Sequence, residues 1–224
     1  MARDHSPKIR QRAQLERKQS QRASYDRVLI VSEGSKTEPL YFKEIKNANR
    51  LQTANVEVHP GALGTEPIQV VRYAKHLFEA GDPRKRVRAK AFEKVFAIFD
   101  RDDHNSYFDA LKLAGSLDGK LRNDAKQPVE FKAIASVPCF ELWLLLHYED
   151  IRHPLHRDEV LTRLKQHIPG YDKGAGGSFA TTKGNLGIAS QRARNLAALS
   201  TAFDDTEPST DIVELVALLI AFSN

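Results

Sequence analysis

Val28-Leu29-Ile30-Val31-Ser32-Glu33-Gly34-Ser35-Lys36-Thr37-Glu38-Pro39-Leu40 carries a complete passage from strand to helix. The run Val28 to Ser32 is apolar and β-branched, too short for a stable helix, and stops at Glu33-Gly34, which suits a strand buried on both faces. Ser35 to Pro39 then offers an N-cap and an acidic first turn. Leu40, Phe42, Ile45 and Ala48 continue at helical spacing. Strand, glycine turn and helix together open a βα unit.

The pattern recurs along the chain. Asn55 to His59 reads as a second strand, and Thr65 caps a helix through Ile68, Val71, Tyr73 and Leu77. Val95-Phe96-Ala97-Ile98-Phe99 is a third buried strand that ends at Asp100-Arg101-Asp102-Asp103-His104, with a helix expected over 107–122. Phe131 to Ala135 is a fourth strand, stopped by Ser136-Val137-Pro138. Cys139 to His147 is apolar all round except for Glu141 and reads as a buried helix containing Trp143. Further helices are expected over 158–168, 186–199 and 211–222, the last capped by Pro208-Ser209-Thr210, with the glycine-rich loop Gly170 to Ser178 between the first two. The fold class is α/β: about four mainly parallel strands with flanking helices and a helical C-terminal extension. Three parts follow, a basic flexible arm over 1–26, an α/β core over 27–150, and a helical part over 151–224 packed on that core.

Composition narrows the function classes. The chain has 224 residues, 41% of them hydrophobic, which excludes wholesale disorder. No apolar run approaches the roughly 20 residues of a membrane span. The single cysteine, Cys139, excludes an internal disulfide and a cysteine-based zinc cluster and reads as a small buried residue. No secretory signal is expected, so the expected location is cytoplasmic. Lys plus Arg number 34 against 29 acids, a net charge of +5 that permits a nucleic-acid partner. Residues 1–27 are nearly all polar and rich in Lys and Arg, as in a solvated tail or an arm that touches phosphates.

In a parallel sheet the chemistry lies beyond the carboxyl ends of the strands. Glu33 ends the first strand, Asp100 and Asp102 the third, and Glu141 lies just past the fourth. Carboxylates gathered at one rim repel unless a cation sits among them, and hard oxygen ligands select Mg²⁺ or Mn²⁺. Each position also has a plainer reading: a turn for Glu33-Gly34 and for the Asp cluster, and a structural ion pair for Glu141, whose apolar surroundings demand a partner. His104 is a ligand, a proton carrier or a surface cap, and His147 sits at a helix C-terminus that tolerates partial positive charge. Lys36 lies beside Glu33 in reach of a phosphate at a helix start, while Lys173 and Lys183 lie in and after the glycine-rich loop, which either joins helices or closes over phosphates. No glycine spacing matches a Walker loop, so ATP hydrolysis by this chain is not indicated. No extended run interleaves aromatic and basic residues as a single-strand platform does.

Three segments taken together, Val31 to Phe42, Phe99 to His104 and Ser136 to His147, resemble the RloB-like family in order and spacing, with Tyr171-Asp172-Lys173 and Pro208-Ser209-Thr210 as later landmarks. The resemblance implies a variant of the Toprim fold, with its single Glu at Glu33 and its Asp-x-Asp at Asp100 and Asp102. It leaves Glu38 as either an added ligand or a helix cap. It further implies an AAA/ABC-type ATPase partner of the RloA or AbiLii kind and a place in phage defence. On that basis the expected activity is a Mg²⁺-dependent nuclease, in which Asp100, Asp102 and Glu141 hold metal. Glu33 serves as base or ligand, and Lys36 or Lys173 offsets phosphoryl charge. The rival expectation is a non-catalytic subunit that binds a nucleotide or nucleic acid in the same pocket. A HAD-type phosphohydrolase fits less well, because its Asp pair follows the first strand. Homo-oligomerisation is left open.

Overall fold

The computed structural model describes residues 26–51, 56–62, 64, 66–101, 105–199 and 208–223. Most of the basic arm, Thr65, Asp102 and His104 lie outside the described residues. The elements run β1 (Val28–Ser32), α1 (Thr37–Ala48), β2 (Val56–Pro60), α2 (Pro67–Ala80), β3 (Lys94–Asp100), α3 (Tyr107–Leu117), β4 (Glu130–Val137) and α4 (Glu141–Leu145). The C-terminal part adds α5 (Arg157–His167), α6 (Ser178–Thr182), a 3-10 turn at Lys183–Asn185, α7 (Leu186–Leu199), β5 (Ser209–Thr210) and α8 (Ile212–Ala221).

One sheet in the order β2-β1-β3-β4-β5 organises these elements. Strands β1 to β4 are parallel, as the alternation of apolar runs and helices requires, and β5 pairs antiparallel with the end of β4. Alternate residues feed two cores. Val28, Ile30, Phe96 and Ile98 face α1 and the C-terminal helices, while Leu29, Val31, Val95, Ala97 and Phe99 face α2 and α3. Burial on both faces is why the strands read as unbroken apolar runs.

Helix α3 and strand β5 differ from their sequence readings. Helix α3 stops at Leu117 rather than near residue 122, because Asp118-Gly119 turns the chain back onto β4. Gly119 takes φ +67 and donates its N–H to Val129 at 2.9 Å, and the Asp118 carboxylate accepts from Phe131 N–H at 3.0 Å. Ser209 and Thr210, read as helix caps, also form the edge strand β5. Thr210 does both jobs: its Oγ1 lies 2.9 Å from Ser136 Oγ and accepts from Ile212 N–H at 3.4 Å.

At the start of the strands, Arg27 donates to Glu93 at 2.5 Å and to Asp124 at 2.7 Å, and Asn123 also reaches Glu93 at 3.1 Å. Hydrogen bonds to Asp124 and Glu93 raise the already high guanidinium pKa further. Trp143 is fully buried, with its indole N–H donating to the Tyr41 hydroxyl at 2.7 Å. Among the described residues no helix is long and apolar enough to cross a membrane.

Candidate active site

After β1 the chain goes to β2 on one side, then crosses back over β1 to place β3 on the other. Helix α1 covers one face of the sheet, α2 and α3 the other. A crevice therefore opens between the carboxyl ends of β1 and β3, the point where the strand order reverses and where open α/β sheets place their ligands. The crevice has a volume of about 240 Å³, and its walls include Glu33, Glu38, Asp100, Glu141, Lys36, Arg157 and Lys173.

Glu33 continues the ladder past β1, with its N–H donating to the Ile98 carbonyl at 2.8 Å. That fixes its side chain beside the neighbouring strand, where its carboxylate accepts the backbone N–H of Asp100 at 3.2 Å. Asp100 closes β3 and is 8% exposed. The sheet register thus joins two acids that are 67 positions apart. Glu38, in the first turn of α1, is also buried, and its carboxylate packs directly on Gly34, where a Cβ would fall 2.2 Å from Oε2.

Glu141 is 2% exposed at the start of α4. Its Oε1 accepts from the Tyr171 hydroxyl at 3.1 Å and pairs with Lys173 Nζ at 3.0 Å. Burial works against the Lys173 ammonium, but the Glu141 charge and hydrogen bond outweigh it and raise the pKa, with Asp100 acting in the same direction. Burial first, and then Glu141, push the Tyr171 hydroxyl up. Cys139 is buried behind this group. Burial and the charges of Glu141 and Asp100 hold its thiol well above the ordinary range, as befits a packing residue and not a nucleophile.

Lys36 is exposed on the rim, and its stem lies against Gly174, which has φ +82 and where a Cβ would fall 2.5 Å from Lys36 Cβ. Glu44 of α1 accepts N–H groups from Gly177 at 2.5 Å and Phe179 at 2.9 Å, so the glycine-rich loop is held against α1. Lys183 is exposed in the 3-10 turn and is not among the crevice residues. Arg157 is the crevice residue that sequence reasoning missed. It opens an ordinary polar helix, and only the packing of α5 on α4 brings it to the rim.

Among the described residues no group of three or more His, Cys, Asp and Glu is placed to hold a metal ion. The donor set nevertheless suits Mg²⁺ or Mn²⁺. Mg²⁺ commonly takes one or two carboxylates and completes its shell with water and substrate phosphate, and Glu33 and Asp100 supply two acids at one opening.

Fold and site define a mainly parallel α/β protein with an acidic crevice at its topological switch point, rimmed by lysine and arginine. The chain matches the family described as RloB-like protein over residues 28–219, and it belongs to that family. No curated protein and no solved structure matches it.

Proposed function

We propose that this chain is the metal-dependent nuclease subunit of a phage-defence system, built on a Toprim-like core and cleaving nucleic-acid phosphodiesters with an AAA/ABC-type ATPase partner of the RloA or AbiLii kind. The observation that carries the reading is the contact between the Glu33 carboxylate and the Asp100 backbone, in a crevice whose walls also bear Lys36, Arg157 and Lys173. Acids and cations mixed in this way suit a phosphodiester: the acids handle metal and water, and the cations face the phosphate oxygens.

Asp100 and Asp102 would hold Mg²⁺ or Mn²⁺, which when bound would polarise the phosphate and make water a stronger nucleophile. Glu33 is the base that takes the proton from the attacking water. Lys36 and Lys173 face the charge that builds on the phosphoryl oxygens. Glu141, which the sequence offered as a metal ligand or an ion-pair partner, acts in this reading as the anchor that aims Lys173.

The test is cleavage of single-stranded DNA, duplex DNA and tRNA by the purified chain, alone and with the ATPase, in Mg²⁺ or Mn²⁺. Glu33→Gln and Asp100→Asn should each lower the rate by at least about a hundredfold with an unchanged thermal melt. Asp100→Asn cleaving like the wild type would overturn the assignment. The three crevice cations also favour a second reading, nucleotide or nucleic-acid binding without chemistry. Tight binding with no product under any of these conditions would select it.

A further inference from the structure

We infer that Arg101 and Phe108 form a shelf on which an unpaired base of a single-stranded nucleic acid stacks, just past the end of β3 and next in sequence to the crevice residue Asp100. The inference deepens the nuclease reading by naming its substrate class, and it rests on that reading for the identity of the polymer.

Alternation along β3 sends the side chain of Asp100 to the face covered by α1 and that of the next residue, Arg101, to the face covered by α3. Arg101 is fixed at the strand end by its N–H, which donates to the Ser136 carbonyl at 2.9 Å. Its guanidinium carbon lies 4.8 Å from the Tyr107 ring centroid and 5.5 Å from that of Phe108. The two rings meet edge to face at 5.3 Å, but their surroundings differ: Tyr107 is 7% exposed and backs onto Phe99, whereas Phe108 is 53% exposed. Tyr107 therefore anchors the group and Phe108 presents it. Among the described residues Phe108 and Ile188 are the exposed large hydrophobic side chains, and only Phe108 is aromatic and next to a cation.

An aromatic face beside a guanidinium is the pairing that holds single strands, the ring taking a base and the cation taking π-density or phosphate. Bases within a duplex are already stacked and offer no free face. The same shelf thus discriminates between the two forms of substrate. Although no sequence run interleaves aromatic and basic residues, the end of β3 and the first turn of α3 bring Arg101 to Tyr107 and Phe108.

The test is fluorescence anisotropy with short labelled oligonucleotides, in EDTA so that cleavage plays no part. Wild type should bind single-stranded DNA or RNA more tightly than duplex, the two sugars being compared in separate arms. Phe108→Ala should weaken single-strand binding about tenfold and leave duplex binding unchanged, Arg101→Gln should act in the same sense, and Phe108→Trp should retain affinity. In Phe108→Trp the new indole should be quenched by single strands, while the buried Trp143 of the wild type should not respond. Phe108→Ala binding single strands like wild type, or losing duplex affinity equally, would overturn the shelf even if Asp100→Asn abolishes cleavage. An intact Phe108 effect with no cleavage by any form would sustain the shelf and remove the nuclease reading instead.

Discussion

Gly34 shows how a residue without a side chain shapes the crevice. The Glu38 carboxylate occupies the space over its Cα, so a methyl group there must push that carboxylate aside. The displaced atoms are the far end of a flexible side chain. Gly34→Ala should therefore change stability by less than about 1 kcal/mol in a urea titration, while lowering nucleic-acid cleavage severalfold through the moved acid. At this scale the sequence was informative about Glu33 and Asp100, since each ends an apolar run that could only be a buried strand. It was informative about Glu141 in a weaker sense: an acid in Phe140 to Leu146 had to have a partner. Nothing local identified that partner as Lys173 and Tyr171, because a contact across a loop is set by tertiary packing. His147 was read as packing at a helix end that tolerates partial charge; it does pack, at 2% exposed, but burial disfavours the charge and pushes its pKa down to about 4.

The glycine-rich loop is the element on which the crevice most depends. It is fastened through Lys173 to Glu141, through Gly174 against Lys36, and through the N–H groups of Gly177 and Phe179 to Glu44. Lys173→Met would leave the nearly inaccessible Glu141 carboxylate with Tyr171 but no counter-charge. Because the Lys173 side chain is 46% exposed, water recovers part of the loss, and the cost should be about 2 kcal/mol. Amide exchange over 170–178 should quicken, and Glu141→Gln in the same background should restore part of the stability. No change in either measurement would show that the pair does not hold the loop. The parallel strands were legible because burial on two faces leaves unbroken apolar runs, and most helices because one buried face recurs at helical spacing. The edge strand β5 was not, since two residues carry no period, and α6 was not, since its start depends on Glu44 from a distant helix.

For the whole molecule, acid sensitivity follows from His147. Its Nδ1 lies 2.9 Å from the Trp143 carbonyl and its ring stands edge-on to Trp143 at 4.9 Å. Burial disfavours the charged ring, with hydrogen bonds to the Trp143 and Leu144 backbone opposing only in part. The unfolded chain therefore binds a proton more readily than the folded one. The contribution to stability is complete above about pH 6.5 and is lost as pH falls to about 4, amounting to about 3 kcal/mol. Urea midpoints across that window should fall for wild type and fall much less for His147→Gln; parallel curves would refute the assignment. The clamp of Arg27, Glu93, Asp124 and Asn123 lies at the opposite end of the strands from the crevice. The molecule thus keeps its mechanical foundation and its chemistry at opposite poles of one sheet, so the foundation can be reinforced or loosened as an independent dial on lifetime while the working pole keeps its shape.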